Sequence, residues 1–204
     1  MRRSIAALLL GVLPLGAGAQ QMDMEALAKW GAADLVRYHI VGDYRDARSV
    51  ASDGSGMADV VDRVIVDLTW KLSESKLVGA PTFQNFKTTV SNLRDRERAC
   101  LAPILKGELE VFDVLAIKEG LGGSLEMTVR TTYPTAEIAQ FCTASRRTVP
   151  GKTATEPMEF GIVSPVAFAM PPPASGELVI TPDKKSIVVK KHGWTWTMTP
   201  TMTK

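Results

Sequence analysis

Histidine and cysteine are almost missing from this chain: two of each in 204 residues. That leaves little room for a zinc site built from protein ligands and excludes a disulfide-dense scaffold. Aromatic residues are sparse, at 6%. Neither sign of charge dominates, with 24 Lys+Arg against 22 Asp+Glu. No stretch beyond the N-terminus reaches the eighteen apolar residues that a membrane-spanning helix needs. There is no phosphate-binding loop, no dinucleotide fingerprint and no Gly-x-Ser-x-Gly elbow. What is present is ordinary: 45% hydrophobic and 23% charged residues, the composition of a globular protein, in a length that suits one domain. Disorder and collagen-like repetition are thereby excluded.

The N-terminus reads as an address. Arg2 and Arg3 precede an apolar run from Ile5 to Leu15, and small residues follow at Gly16-Ala17-Gly18-Ala19. This is the layout of a secretory signal peptide, with cleavage expected between Ala19 and Gln20. The apolar run is too short to cross a bilayer core of ~30 Å as a helix. No Cys lies near the cut, so a lipoprotein anchor is not expected. The expected organisation is a signal peptide at 1–19 and a single β-rich domain at 20–204. The expected location is outside the cytoplasm, the periplasm if the source is a Gram-negative bacterium. Removing Arg2 and Arg3 leaves a formally neutral chain. Residues 20–75 hold ten acids and six bases, so the front is net acidic and the remainder net basic.

An exported chain gives its two cysteines a meaning. Cys100 and Cys142 are expected to form a disulfide. The loop they close, about 43 residues, corresponds to ~4 kcal/mol in the chain-entropy model.

Hydrophobic periodicity is mostly two. Val36, Tyr38 and Ile40 alternate with Arg37, His39 and Val41. Val60, Val64, Val66, Leu68, Trp70 and Leu72 share one face, with Asp62 as the exception. Leu125–Tyr133 and Trp194–Met198 alternate in the same way, and Phe160–Met170 shares one parity. Such segments read as half-buried antiparallel strands. Leu109–Ile117, apolar on both parities apart from Glu110 and Asp113, reads as a central strand. Turn chemistry separates the runs at Asp53–Gly56, Gly120–Gly123 and Thr181–Lys185. A short helix is expected at 24–30, capped by Asp23, with further helical candidates at 97–101 and 135–141. The expected fold is mainly β: a single antiparallel β-sandwich or partly open barrel-like domain with a short N-terminal helix. The alternative is an α+β domain in which 92–105 and 135–147 pack as helices on one curved sheet.

Candidate chemistry is thin. His39 falls on the outward face of its strand, and His192 lies in a turn-like Lys190-Lys191-His192-Gly193. Both read as surface histidines. Ser55 has a strand after it rather than the helix a nucleophile elbow requires. Asp53, Ser55, Asp59 and Asp62 resemble part of a calcium loop without its closing Glu, and read better as turn residues. Glu108, Glu110 and Asp113 are a weak carboxylate signal. Lys184, Lys185, Lys190 and Lys191, with Arg146-Arg147, suggest a basic stripe for acidic lipid or polysaccharide, or protection of an edge. Trp70, Trp194 and Trp196 line apolar strand faces that either fill a core or hold an apolar ligand.

No catalytic, cofactor or metal residues are assigned from this pattern. The leading expectation is a non-enzymatic envelope module that binds a protein partner, a glycan or an apolar ligand. The alternatives are a periplasmic hydrolase using carboxylates and a carrier of a lipid or other apolar ligand. Nucleic acid is not an expected partner of a neutral exported chain.

Overall fold

The computed structural model describes residues 22–96, 110–139, 146–171 and 176–203. Cys100, Cys142, Ala19 and Gln20 lie outside the described residues, as do Glu108 and the helical candidate at 97–101.

The chain starts with helix α1, Met24–Gly31. Asp23 caps it, its Oδ1 accepting from the Ala26 amide at 3.0 Å. That bond satisfies one of the amides a helix start leaves unpaired. Strands follow: β1 Leu35–Ser49, β2 Gly56–Lys71, β3 Lys76–Asp95, β4 Phe112–Glu119, β5 Ser124–Tyr133 and β6 Ala136–Ala139. They continue with β7 Arg146–Val149, β8 Lys152–Gly161, β9 Leu178–Ile180, β10 Ile187–Lys191 and β11 Trp194–Met202.

Among the described residues, eight strands form one sheet in the order β7-β6-β3-β2-β1-β11-β10-β9, and three form a second in the order β4-β5-β8. All pairings are antiparallel except a single parallel bridge between Arg94 of β3 and Ala139 of β6. The large sheet ends in β7 on one side and β9 on the other, so it does not close into a barrel. The fold is the expected mainly β one.

Period two explains how the sheets stack. Val36, Tyr38 and Ile40 of β1, Val64 and Val66 of β2, and Trp196 and Met198 of β11 are buried on one face of the large sheet. They share a core with Leu125, Met127 and Val129 of β5 and Phe160 of β8. The small sheet therefore covers that face, and each fully buried aliphatic side chain contributes about 1.5–3 kcal/mol. Trp30 of α1 closes one end against Phe168, with ring centroids 6.0 Å apart. A second, smaller core gathers Val50, Val60, Val90, Leu93, Tyr133 and Val149.

Several segments differ from expectation. Residues 136–139 form strand β6, not a helix: four residues paired with β7 satisfy their backbone across the ladder. Residues 92–95 end β3, so the α+β alternative fails there. The same-parity run Phe160–Met170 is not one strand. β8 stops at Gly161, and a 3-10 helix forms at Pro165–Ala169, where Pro165 presets φ and Ser164 caps the Val166 amide. Among the described residues β4 is an edge strand whose backbone ladder pairs with β5 alone, not a central one. Finally, β3 has no counterpart in the periodicity. Its pairing with β2 slips at three places, and Gly79 and Pro81 interrupt its pattern.

Candidate functional site

On β1 and β2 the even-numbered residues face the small sheet. Asp62 is among them, at 2% exposure. An unpaired carboxylate in that position would cost several kcal/mol. Arg48, fourteen residues away across the β1–β2 hairpin, answers it: Nη1 lies 3.4 Å from Asp62 Oδ2. The same Nη1 lies 2.8 Å from Glu156 Oε1 on β8. One guanidinium thus joins the two sheets. Its Nε donates to the Tyr44 hydroxyl at 3.0 Å, and its carbon sits 3.9 Å from the centre of the Tyr44 ring. The hydroxyl in turn donates to Asp46 at 3.2 Å.

Electrostatics follow from this burial. Loss of water pushes the Asp62 carboxyl above its usual range, and Glu156 and Asp113 add to the rise. Thr88, its register partner on β3, and Arg48 temper it. Neither Asp62 Oδ1 nor Thr88 Oγ1 completes a well-formed hydrogen bond among the described residues. Burial also works against the charge on Arg48, but Tyr44, Glu156 and Asp62 outweigh it and hold its pKa above the ordinary value. Burial raises Tyr44 as well, and pushes Tyr133 up to about 12, with the charge of Asp62 adding to the effect. Asp113 supports the cluster from β4. Its Oδ2 accepts from the Thr88 amide at 3.0 Å and its Oδ1 from the Thr131 hydroxyl at 2.9 Å.

The cluster opens onto solvent through a cleft of about 300 Å3, lined by Tyr44, Arg48, Thr155, Glu156, Pro157, Met158, His192 and Trp194. The β10–β11 turn shapes its rim. His192 and Gly193 both have positive φ, 52° and 81°, which a two-residue hairpin turn of this kind requires. Behind the rim the interior is filled by rings. Phe160 stacks on Trp196 at 4.4 Å, Trp196 on Trp194 at 5.0 Å, and Trp194 meets Tyr44 at 5.5 Å. Gly42 makes room for the stack: a Cβ there would come within 2.4 Å of the Trp196 ring.

The residues singled out from sequence scatter. Asp53 Oδ1 accepts from the Ser55 amide and hydroxyl at 2.9 and 2.6 Å, a closed turn. Asp59 pairs with Arg94 at 2.8 Å on the opposite face from Asp62. The partial calcium pattern is therefore not one site, and no group of three or more His, Cys, Asp or Glu stands ready for a metal among the described residues. Glu110 is exposed. Lys184 pairs with Asp23, while Lys190, Lys191 and His192 line a neighbouring cleft. Lys184 and Lys185 lie in the turn before β10 and Lys190 and Lys191 at its far end, so the lysines do not form one stripe. His39 lies on the outer face, its Nδ1 3.0 Å from Asp67 Oδ1. Trp70, Trp194 and Trp196 are all buried.

Arg48, Glu156 and Tyr44 were missed from sequence. The available signal was Asp62: a lone acid on a Val/Leu/Trp face demands a cation, and Arg48 shares the inward parity of β1. The chain has no significant match to any family model, curated protein or solved structure.

Proposed function

We propose that the protein is an exported, non-enzymatic binding module of the cell envelope, and that it takes its ligand or partner at the cleft between β1, β8 and the β10–β11 turn. Export rests on the signal-peptide layout of residues 1–19. The observation that carries the binding reading is the cleft: Arg48 and Glu156 are presented on rigid strands beside Trp194, Met158 and His192, at an opening of about 300 Å3. A few fixed polar groups beside apolar and aromatic surface are the usual make-up of a recognition site. Glu156 is the exposed charge there, with 37% of its side chain accessible. A polypeptide segment carrying a Lys or Arg beside an apolar residue fits that chemistry best.

The other readings have less support. A carrier needs hollow space, whereas the ring stack occupies the apolar lining of the sandwich. A carboxylate hydrolase needs two accessible acids, whereas Asp62 is only 2% exposed. The test is titration of a Lys/Arg-containing peptide panel, with glycans as controls, followed by NMR or calorimetry. Saturable peptide binding weakened at least about tenfold by Glu156→Gln supports the reading. Binding indifferent to Glu156→Gln and His192→Ala, or no binding at all, sinks it.

A further inference from the structure

Strand register places two clefts side by side at the β10–β11 turn. Lys191 stands opposite Trp194, Trp194 opposite Tyr44, and Tyr44 opposite Asp62. Directly opposed residues share a face, so these four form one row across β10, β11, β1 and β2, on the face turned to the small sheet. The row begins with a cation, Lys191, passes the buried ring of Trp194, and reaches Tyr44, where Arg48 and its partner Glu156 are held. The cleft already described opens on the Glu156 side. A neighbouring cleft of about 410 Å3 opens on the Lys191 side, with Lys190 and Glu177 also in its lining. His192 and Trp194 line both clefts, so the two share a wall. Lys190 and Lys191 are exposed and form no ion pair among the described residues. Their backbone is nonetheless fixed. The Lys190 amide donates to the Glu177 carbonyl at 2.8 Å, and the two lysines pair with Thr195 and Trp194 in the ladder.

We propose that the two clefts act as one bipolar groove for an extended polypeptide segment that carries a base and, about three residues away, an acid. The base meets Glu156, and the acid meets Lys191 with Lys190 in support. This inference rests on the reading of the first cleft as a binding site and adds the second charge its ligand carries. The spacing follows from the sheet. Neighbouring strands lie about 4.8 Å apart, so the backbones of Lys191 and Tyr44, two strands away, are about 10 Å apart. An extended chain rising about 3.3 Å per residue covers that distance in about three residues. Charge complementarity sets the order of the ligand's charges. In the second cleft Glu177 faces two lysines, so the lining favours an anion. An acidic glycan lacks the base that suits Glu156, and a purely basic peptide leaves the lysines without a partner. Recognition falls to side chains and not to an added strand. β8 is the outer strand of the small sheet among the described residues, but Pro157, in the lining of the first cleft, has no N–H to pair with one.

The experiment is calorimetric titration of the full chain with two blocked peptides, Gly-Lys-Leu-Ala-Glu-Gly and its uncharged counterpart Gly-Lys-Leu-Ala-Gln-Gly. Each is also made in the reversed sequence, and the tighter direction is compared. The Glu peptide should bind about fivefold more tightly than the Gln peptide at low ionic strength, the difference one partly exposed ion pair makes. That advantage should shrink in about 1 M salt, where the Debye length is about 3 Å. Lys190→Gln/Lys191→Gln should lower the affinity of the Glu peptide to that of the Gln peptide. The same variant should leave the Gln peptide's affinity and the melting temperature unchanged. Glu156→Gln should weaken both peptides. Equal affinity of the two peptides for the wild type overturns the bipolar groove while the first cleft stands as a binding site. An equal loss of both peptides in the lysine variant overturns it in the same way. No binding of either peptide sinks the first cleft as a binding site, and the bipolar groove with it.

Discussion

Asp62 and Asp67 sit five residues apart on β2, an odd spacing that puts them on opposite faces of the same strand. Asp62 points between the sheets, bridged by Arg48 to Glu156, and stands opposite Thr88, whose amide Asp113 holds. Asp67 points outward and holds two side chains, His39 and Gln84. Both are largely buried, yet their environments differ in kind. The inner acid shares its site with a cation it cannot do without. The outer acid orients a half-exposed imidazole. Residue type and burial alone do not assign a role to a carboxylate; its neighbours do.

Removing the inner cation should give the largest effect. Arg48→Met leaves Asp62 charged and unpaired in the core, and should cost about 3 kcal/mol in urea unfolding. The double variant Arg48→Met/Asp62→Asn should recover part of that loss, because the orphaned charge goes too. If the single variant is as stable as the wild type, the inner pair is not the joint described. Gly42→Ala comes next. Its Cβ collides with the Trp196 ring, and overpacking of this kind costs about 2 kcal/mol. Quenched or shifted tryptophan fluorescence should accompany the loss.

The pH dependence of the two faces gives a smaller, signed effect. Asp62 has a folded-state pKa above the unfolded value of ~3.9. The folded form therefore binds the proton more tightly, and its contribution to stability falls as pH rises through that window. Lowering pH from neutrality toward ~4 should thus favour the wild type relative to Asp62→Asn. Asp59, held below the ordinary range by Asn92 and by Arg94, acts with the opposite sign. Its contribution is present above ~3.9 and is lost as pH falls through its depressed folded value. Urea midpoints of both Asn variants across that range should diverge from the wild type in opposite senses. The smallest effect belongs to the outer ring: His39→Gln should change stability by less than ~1 kcal/mol, since the side chain is half in water. A large loss there would make the outer pair structural, like the inner one.

Much of the fold was legible, and for identifiable reasons. β1, β2, β5 and β11 bury one face and wet the other, so their alternation survives in the sequence. Asp23 before Met24–Gly31 marked the helix through its cap. β3 was illegible because its register slips shift the face on which each residue falls. β6 read as a helix because four residues such as Ala136–Ala139 have no local preference strong enough to outweigh strand pairing. At the site, Asp62 stood out as an anomaly, but its partners could not be named. Glu156 is 94 residues further along and enters only because the small sheet folds over the large one.

The sequence by itself determined which strands form, which faces are apolar, and that an acid would have to be accommodated on one of them. Those properties are local: they depend on side-chain chemistry at a spacing of two. The tertiary structure alone decided that the apolar lining is stacked rings, that Arg48 spans two sheets, and that Lys191, Trp194, Tyr44 and Asp62 fall in one row. Each of these depends on strand order and register, which bring together residues that no pattern along the chain connects.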